Sequence, residues 1–144
     1  MKILLYLVFL LPMSLFASEQ ALPNKQLTCL VDNAYYEAYS EGKIGVLLVT
    51  QVVLNRARTY DESYCQTIYK KGQFSWTATR KLKKIPLEKR KELEILITKF
   101  YKGKLNYLPK NLKDAMFYHA NYVNPPWFKT RVKIGVWKNH IFYS

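Results

Sequence analysis

Acidic residues are scarce in this 144-residue chain, where ten Asp and Glu face 23 Lys and Arg and leave a formal net charge of +13. An excess of that size directs the protein toward polyanions. Cysteine is rarer still. Cys29 and Cys65 stand alone, with no Cys-x-x-Cys pair, and neither His119 nor His140 belongs to a His-Glu-x-x-His pattern, so the spacing of known zinc sites is missing. Only five glycines occur, and none forms a phosphate-cradling loop or a nucleophile elbow. Phosphoryl transfer and esterase chemistry therefore lose support, and no metal or cofactor is expected. Internal repeats and low-complexity tracts are absent. The longest apolar run, Ile3 to Phe16, includes Pro12 and is shorter than the ~20 residues that span a bilayer.

That run has a different reading. Met1-Lys2, the apolar stretch and the small-residue exit Ala17-Ser18 have the layout of a secretory signal peptide over residues 1–17, cleaved after Ala17. An uncleaved anchor is the alternative. Export places the protein in the periplasm or outside the cell, and loss of Lys2 lowers the charge only from +13 to +12. In that compartment the partners expected of a basic domain are anionic cell-wall or membrane surfaces rather than nucleic acid. A hydrophobic content of 49% with 15% aromatics suits one domain with one sizeable core. The cysteine pair is most simply a disulfide closing a loop of about 36 residues, with two buried free thiols as the alternative.

Residues 18–28 read as a polar leader and the start of a first helix, with Asn24 as its N-cap and Leu27, Leu30, Val31, Ala34 and Ala38 on one stripe. Glu37 falls at the edge of that stripe and Glu41, one turn on, nearer its centre. After Gly42, apolar residues cover nearly the whole wheel from Ile44 to Arg58; β-branched content favours a strand, but the length favours a buried central helix. Asn55 and Arg56 near its end are expected to cap or to form salt bridges. Tyr64 to Lys70 suits a short helix. The loop Gly72-Gln73-Phe74-Ser75-Trp76 suits sugar stacking and hydrogen bonding equally with core filling. Pro86 opens a long helix ending at Gly103, and Arg131–Val136 with Asn139–Tyr143 alternate as a small C-terminal β-hairpin. The fold class is mainly α (α+β).

A carboxylate beside an apolar helix face is a candidate general acid, because desolvation raises its pKa toward working pH. On the segment Cys29 to Ala38 that residue is Glu37; most helical glutamates are merely solvated. The order of short motifs is more specific. Cys-Leu-x-x-x-x-Tyr-x-Glu-Ala, Gln-Val-Val-Leu-Asn-Arg, Gln-Phe-Ser-Trp, Tyr-His-Ala-x-Tyr-Val-x-Pro-x-Trp and a terminal Ile-Gly…His-Ile-Phe-Tyr together resemble the SleB-like cell-wall hydrolases, the spore-cortex-lytic enzyme family, especially two-cysteine members from Gram-negative bacteria and phages. The resemblance runs from Cys29 to Tyr143.

It implies a lysozyme-like domain over residues 29–144 that cleaves the MurNAc-β-1,4-GlcNAc bond of peptidoglycan. Glu37 takes the position of the catalytic acid; Gln73, Phe74, Ser75, Trp76, Tyr118, His119 and Trp127 would contact the glycan. His140 and Tyr143 would close the fold nearby. Two departures stand out: Ala38-Tyr39-Ser40-Glu41 replaces the family's usual Ala-Arg-Gly-Glu, and the Ile134-Gly135 to His140 spacing is long. A lytic transglycosylase needs one acid only, whereas ordinary hydrolysis commonly uses two. Glu41 would share a wall with Glu37 rather than face it, so it reads as cleft support, and Asp32 reads as solvated. A hydrolytic muramidase, a non-catalytic basic wall-binding module and an exported nucleic-acid binder or nuclease built on His119 and His140 are the competing readings.

Overall fold

The computed structural model describes residues 21–144. The signal-peptide reading of residues 1–17 and the first part of the leader lie outside them. Four helices come first: α1 (Asn24–Ala38), α2 (Gly42–Tyr60), α3 (Tyr64–Tyr69) and α4 (Leu87–Tyr101). Three short strands follow, β1 (Phe117–Ala120), β2 (Lys133–Trp137) and β3 (His140–Tyr143). The mainly helical class and the β2–β3 hairpin agree with the sequence reading. The hairpin is extended, however, into a three-stranded antiparallel sheet of order β1-β3-β2, with Tyr118 opposite Phe142 and Ala120 opposite His140.

Helix α2 is the spine. Its residues Val46, Val49 and Val53 join Leu30, Val31, Ile68 and Ile97 in a core shared with the other helices. Leu47, Leu48 and Val52, on its other side, pack with Leu112 and Phe142 beneath the sheet. Burial on both sides explains why so many β-branched residues are tolerated in a helix: each costs only tenths of a kcal/mol in propensity, whereas burying a Val or Leu side chain contributes ~1.5–3 kcal/mol.

The ends of the helices are set by local chemistry. Pro23, not Asn24, is the N-cap of α1, and no side chain caps it. At α3 a capping box is complete: Ser63 Oγ accepts from the Gln66 N–H, and Gln66 Oε1 accepts from the Ser63 N–H. This holds the six-residue helix in place for Cys65, which is bonded to Cys29 on α1 across a Cα–Cα distance of 5.3 Å. The disulfide reading is thereby met. Asp32 is not simply solvated, because its carboxylate accepts from Arg90 on α4 at 2.7 Å. Asn55 is no cap: its Nδ2 donates to the carbonyls of Lys113 and Ala115, tying α2 to the approach to β1.

Between α1 and α2 the chain passes through one 3-10 turn, Tyr39–Glu41, and reverses at Gly42, whose φ of 77° is a region L-residues rarely adopt. Glu41 is 4% exposed. Its two carboxylate oxygens accept from the Asn139 backbone N–H and from Asn139 Nδ2, each at 3.1 Å, and its carbonyl accepts from Trp137 Nε1. Gly45 leaves the room this requires, since a Cβ there would lie 2.3 Å from Glu41 Cβ.

Two outcomes follow for stability. Replacing Cys29 and Cys65 by Ser should lower the unfolding free energy by ~4 kcal/mol in the loop-entropy estimate, a large share of the ~5–15 kcal/mol of a typical domain. Urea midpoints of the two forms check it, and equal midpoints would show that the crosslink contributes nothing. Glu41→Ala removes two charge-assisted hydrogen bonds to Asn139 and should cost ~2 kcal/mol, whereas Glu41→Gln keeps an acceptor and should retain most activity. If Glu41→Gln were as inactive as a Glu37 variant, the structural role given to Glu41 would be wrong.

Candidate active site

A cleft of about 830 Å³ opens between the end of α1, the loop from Gly72 to Ala78, and the sheet. All four residues of β1 line it, because β1 is an edge strand and β3 takes its other side. Glu37 reaches the cleft from the last turn of α1. It is the one carboxylic acid among the described lining residues.

Tyr118 Oη donates to Glu37 Oε2 at 2.8 Å, a contact between residues 81 positions apart. Two opposing effects act on the carboxyl group. Burial raises its pKa, and the Tyr118 hydrogen bond lowers it by favouring the anion; burial is the larger, so the pKa stands above the ordinary value. Tyr118 is itself pushed well above its ordinary value, first by burial and then by the charge of Glu37. The phenol therefore keeps its proton and remains a donor. Its ring is held by His140 at 5.0 Å and Phe142 at 5.6 Å between centroids. Burial holds His140 below its ordinary pKa despite the opposing pull of Glu41.

Gln73, Phe74, Ser75, Tyr118, His119, Trp127 and His140 all border the cleft with Glu37. His119 is fixed at both ring nitrogens. The Ala120 carbonyl can only accept, so Nδ1 carries the proton at 2.8 Å from it, and Nε2 accepts from Tyr143 Oη at 2.8 Å. Tyr143 is buried behind His119 and stacks on it. Besides Tyr143, the other residues of the sequence reading that do not line the cleft are Trp76, Glu41, Cys29 and Cys65. Trp76 is buried, stacks on Tyr36 at 5.0 Å and donates to Asn33 Oδ1 at 2.8 Å, so the Gly-Gln-Phe-Ser-Trp loop divides between cleft and core. Glu41 is turned toward Asn139, and the disulfide belongs to the helical half.

Arg56 is the residue the sequence reading misplaces most. Rather than capping α2, it lines the cleft and donates through Nη2 to Gln73 Oε1, with its guanidinium 5.8 Å from the Phe74 centroid and 5.6 Å from Phe117. Arg131, which no sequence argument singled out, covers Phe117 at 4.0 Å. Two signals for Arg56 were usable: a cation on a helix that is apolar nearly all round, and its place at the end of the Gln-Val-Val-Leu-Asn-Arg motif.

Comparison with known proteins follows the same outline. A crystal structure of the catalytic domain of the Bacillus cereus SleB protein superposes with a TM-score of 0.60 at 23% identity, over 87% of this chain and 97% of that one. Curated protein sequences yield no match. A family model described as cell wall hydrolase matches residues 40–143, beginning just after Glu37 and including Gln73 to Trp76, all of β1, and the hairpin. On a match over most of its length, the chain belongs to the cell wall hydrolase family.

Proposed function

We propose that this protein cleaves the β-1,4 bond between N-acetylmuramic acid and N-acetylglucosamine in peptidoglycan, as a lytic transglycosylase with Glu37 as its general acid and base. The observation that carries the reading is a single carboxyl group in the cleft, its pKa raised by burial and its orientation set by Tyr118. In the first step the Glu37 carboxyl protonates the glycosidic oxygen as the C1–O bond breaks. The muramyl acetamido oxygen stabilises the cationic C1. The Glu37 carboxylate then removes the proton of the muramyl 6-hydroxyl, whose oxygen bonds to C1 and closes a 1,6-anhydro ring. Glu37 ends protonated, ready for another cycle.

One acid suffices for this sequence, whereas hydrolysis by a retaining or inverting route commonly needs a second carboxylate about 5–9.5 Å away. The other acids near Glu37 in sequence are engaged: Asp32 by Arg90 and Glu41 by Asn139. The aromatic walls offered by Phe117, Trp127 and Tyr122 suit the apolar faces of sugar rings. Family membership and the Cys29–Cys65 disulfide support action outside the cytoplasm, in the periplasm or beyond the cell.

Digestion of purified peptidoglycan should yield anhydro-muropeptides by mass spectrometry, and Glu37→Gln should reduce their release at least about a hundredfold with the fold intact. Reducing-end products would identify a hydrolytic muramidase instead; wall binding without soluble products would identify a binding module. The pH profile provides a second check. An acid that must be protonated loses activity as pH rises through its pKa. Tyr118→Phe removes the bond that lowers that pKa, so the basic limb of the kcat profile should move to higher pH. A limb that stays in place or moves down would show that Glu37 is not the titrating group.

A further inference from the structure

Two arginines share one aromatic ring on the cleft wall. Arg56 is 7% exposed; Gln73 occupies its Nη2, and its Nε is buried with no hydrogen-bond partner. Arg131 is exposed and covers the Phe117 ring that Arg56 also approaches. Neither belongs to an ion pair among the described residues, where the pairs are Lys70–Glu62 and Arg90–Asp32. A cation over a ring is common on protein surfaces and marks no site by itself. A nearly buried guanidinium with no carboxylate in ion-pair contact is different: desolvation is costly, and the ring faces of Phe74 and Phe117 and the more distant charge of Glu62 offset only part of it.

We infer that Arg131 and Arg56, around Phe117, form a carboxylate-binding subsite of the cleft. Resting on the glycan-cleavage reading above, this inference names the feature of the strand that the cleft selects. N-acetylated sugar rings are neutral, so they give two arginines no counter-charge. Muramyl residues do carry carboxylates close to the scissile bond, from either of two sources: the free lactyl group of a strand stripped of peptide, or the carboxylates of an attached stem peptide. Arg131, at the open edge, contacts the anion directly. Arg56 supplies charge from the wall and holds Gln73 beside it.

The test uses peptide-bearing strands, strands freed of peptide by an amidase, and both after conversion of their carboxyls to amides, at physiological ionic strength. The wild-type protein should show kcat/KM about tenfold higher on carboxylate strands than on amidated ones, chiefly through KM, the effect of one charge-assisted hydrogen bond. Arg131→Gln should bring that ratio close to one, and Arg131→Lys should retain part of it. Lys99→Gln removes the same charge from α4, away from the cleft, and should keep the full preference. A preference on peptide-free strands alone assigns the lactyl group, one on peptide-bearing strands alone assigns the stem peptide, and one on both assigns a subsite that takes either carboxylate. Equal rates on native and amidated strands, or a preference that survives Arg131→Gln, would overturn the subsite and leave glycan cleavage standing. Should no strand be cleaved, cosedimentation with the same four polymers separates the two ideas. Carboxylate-dependent binding lost in Arg131→Gln keeps the subsite while the cleavage reading fails, and binding indifferent to amidation overturns both.

Discussion

Glu41 turns its carboxylate onto the backbone and side-chain nitrogens of Asn139, and by doing so bonds the junction of α1 and α2 to the turn between β2 and β3. Much of the site geometry descends from that contact. With the turn held, β3 is placed across the top of α2 and β1 is paired to it. Tyr118 then stands where its hydroxyl meets Glu37. The acid and its donor are contributed by opposite ends of the chain, and the hydrophobic packing of α2 between them does not specify register. Directional bonds to a buried carboxylate do.

The cleft combines two requirements that oppose one another. In the role proposed for Glu37 a carboxyl group must hold its proton above the ordinary carboxylate range, which calls for a dry setting, and a dry setting disfavours the anion left behind. Tyr118 reconciles them by supplying one donor to the carboxylate, which softens the cost of the charged state without abolishing the upward shift. His140 and Phe142 hold the phenol in place from beneath.

Local pattern carried much of this protein. Helical spacing located α1, α2 and α4, even-numbered cysteines located the disulfide, and the apolar edge on α1 pointed to Glu37. What escaped depends on long-range approach. Strand β1 has four residues with no apolar–polar alternation, so its strand character exists only through pairing with β3. Trp76 and Phe74 are neighbours of similar chemistry, yet one stacks under Tyr36 and the other borders the cleft. Composition cannot separate them. Arg56 near a helix end looks like a cap until Phe74 and Phe117, from distant segments, close over it. Asp32 likewise faces away from the site, but its partner on α4 is 58 residues distant.

His119 is hydrogen-bonded at both nitrogens, stacked on Tyr143 and met edge-on by Trp127 and Phe128. A side chain so enclosed has one rotamer, and the rings around it restrict each other in turn. Ordering a mobile side chain at a binding surface costs about 0.5–1.5 kcal/mol, and along this wall that loss of freedom occurs on folding. The entropy has been surrendered before a ligand arrives, so little of the contact energy a ligand gains against Trp127 and His119 is consumed in immobilising the surface that receives it.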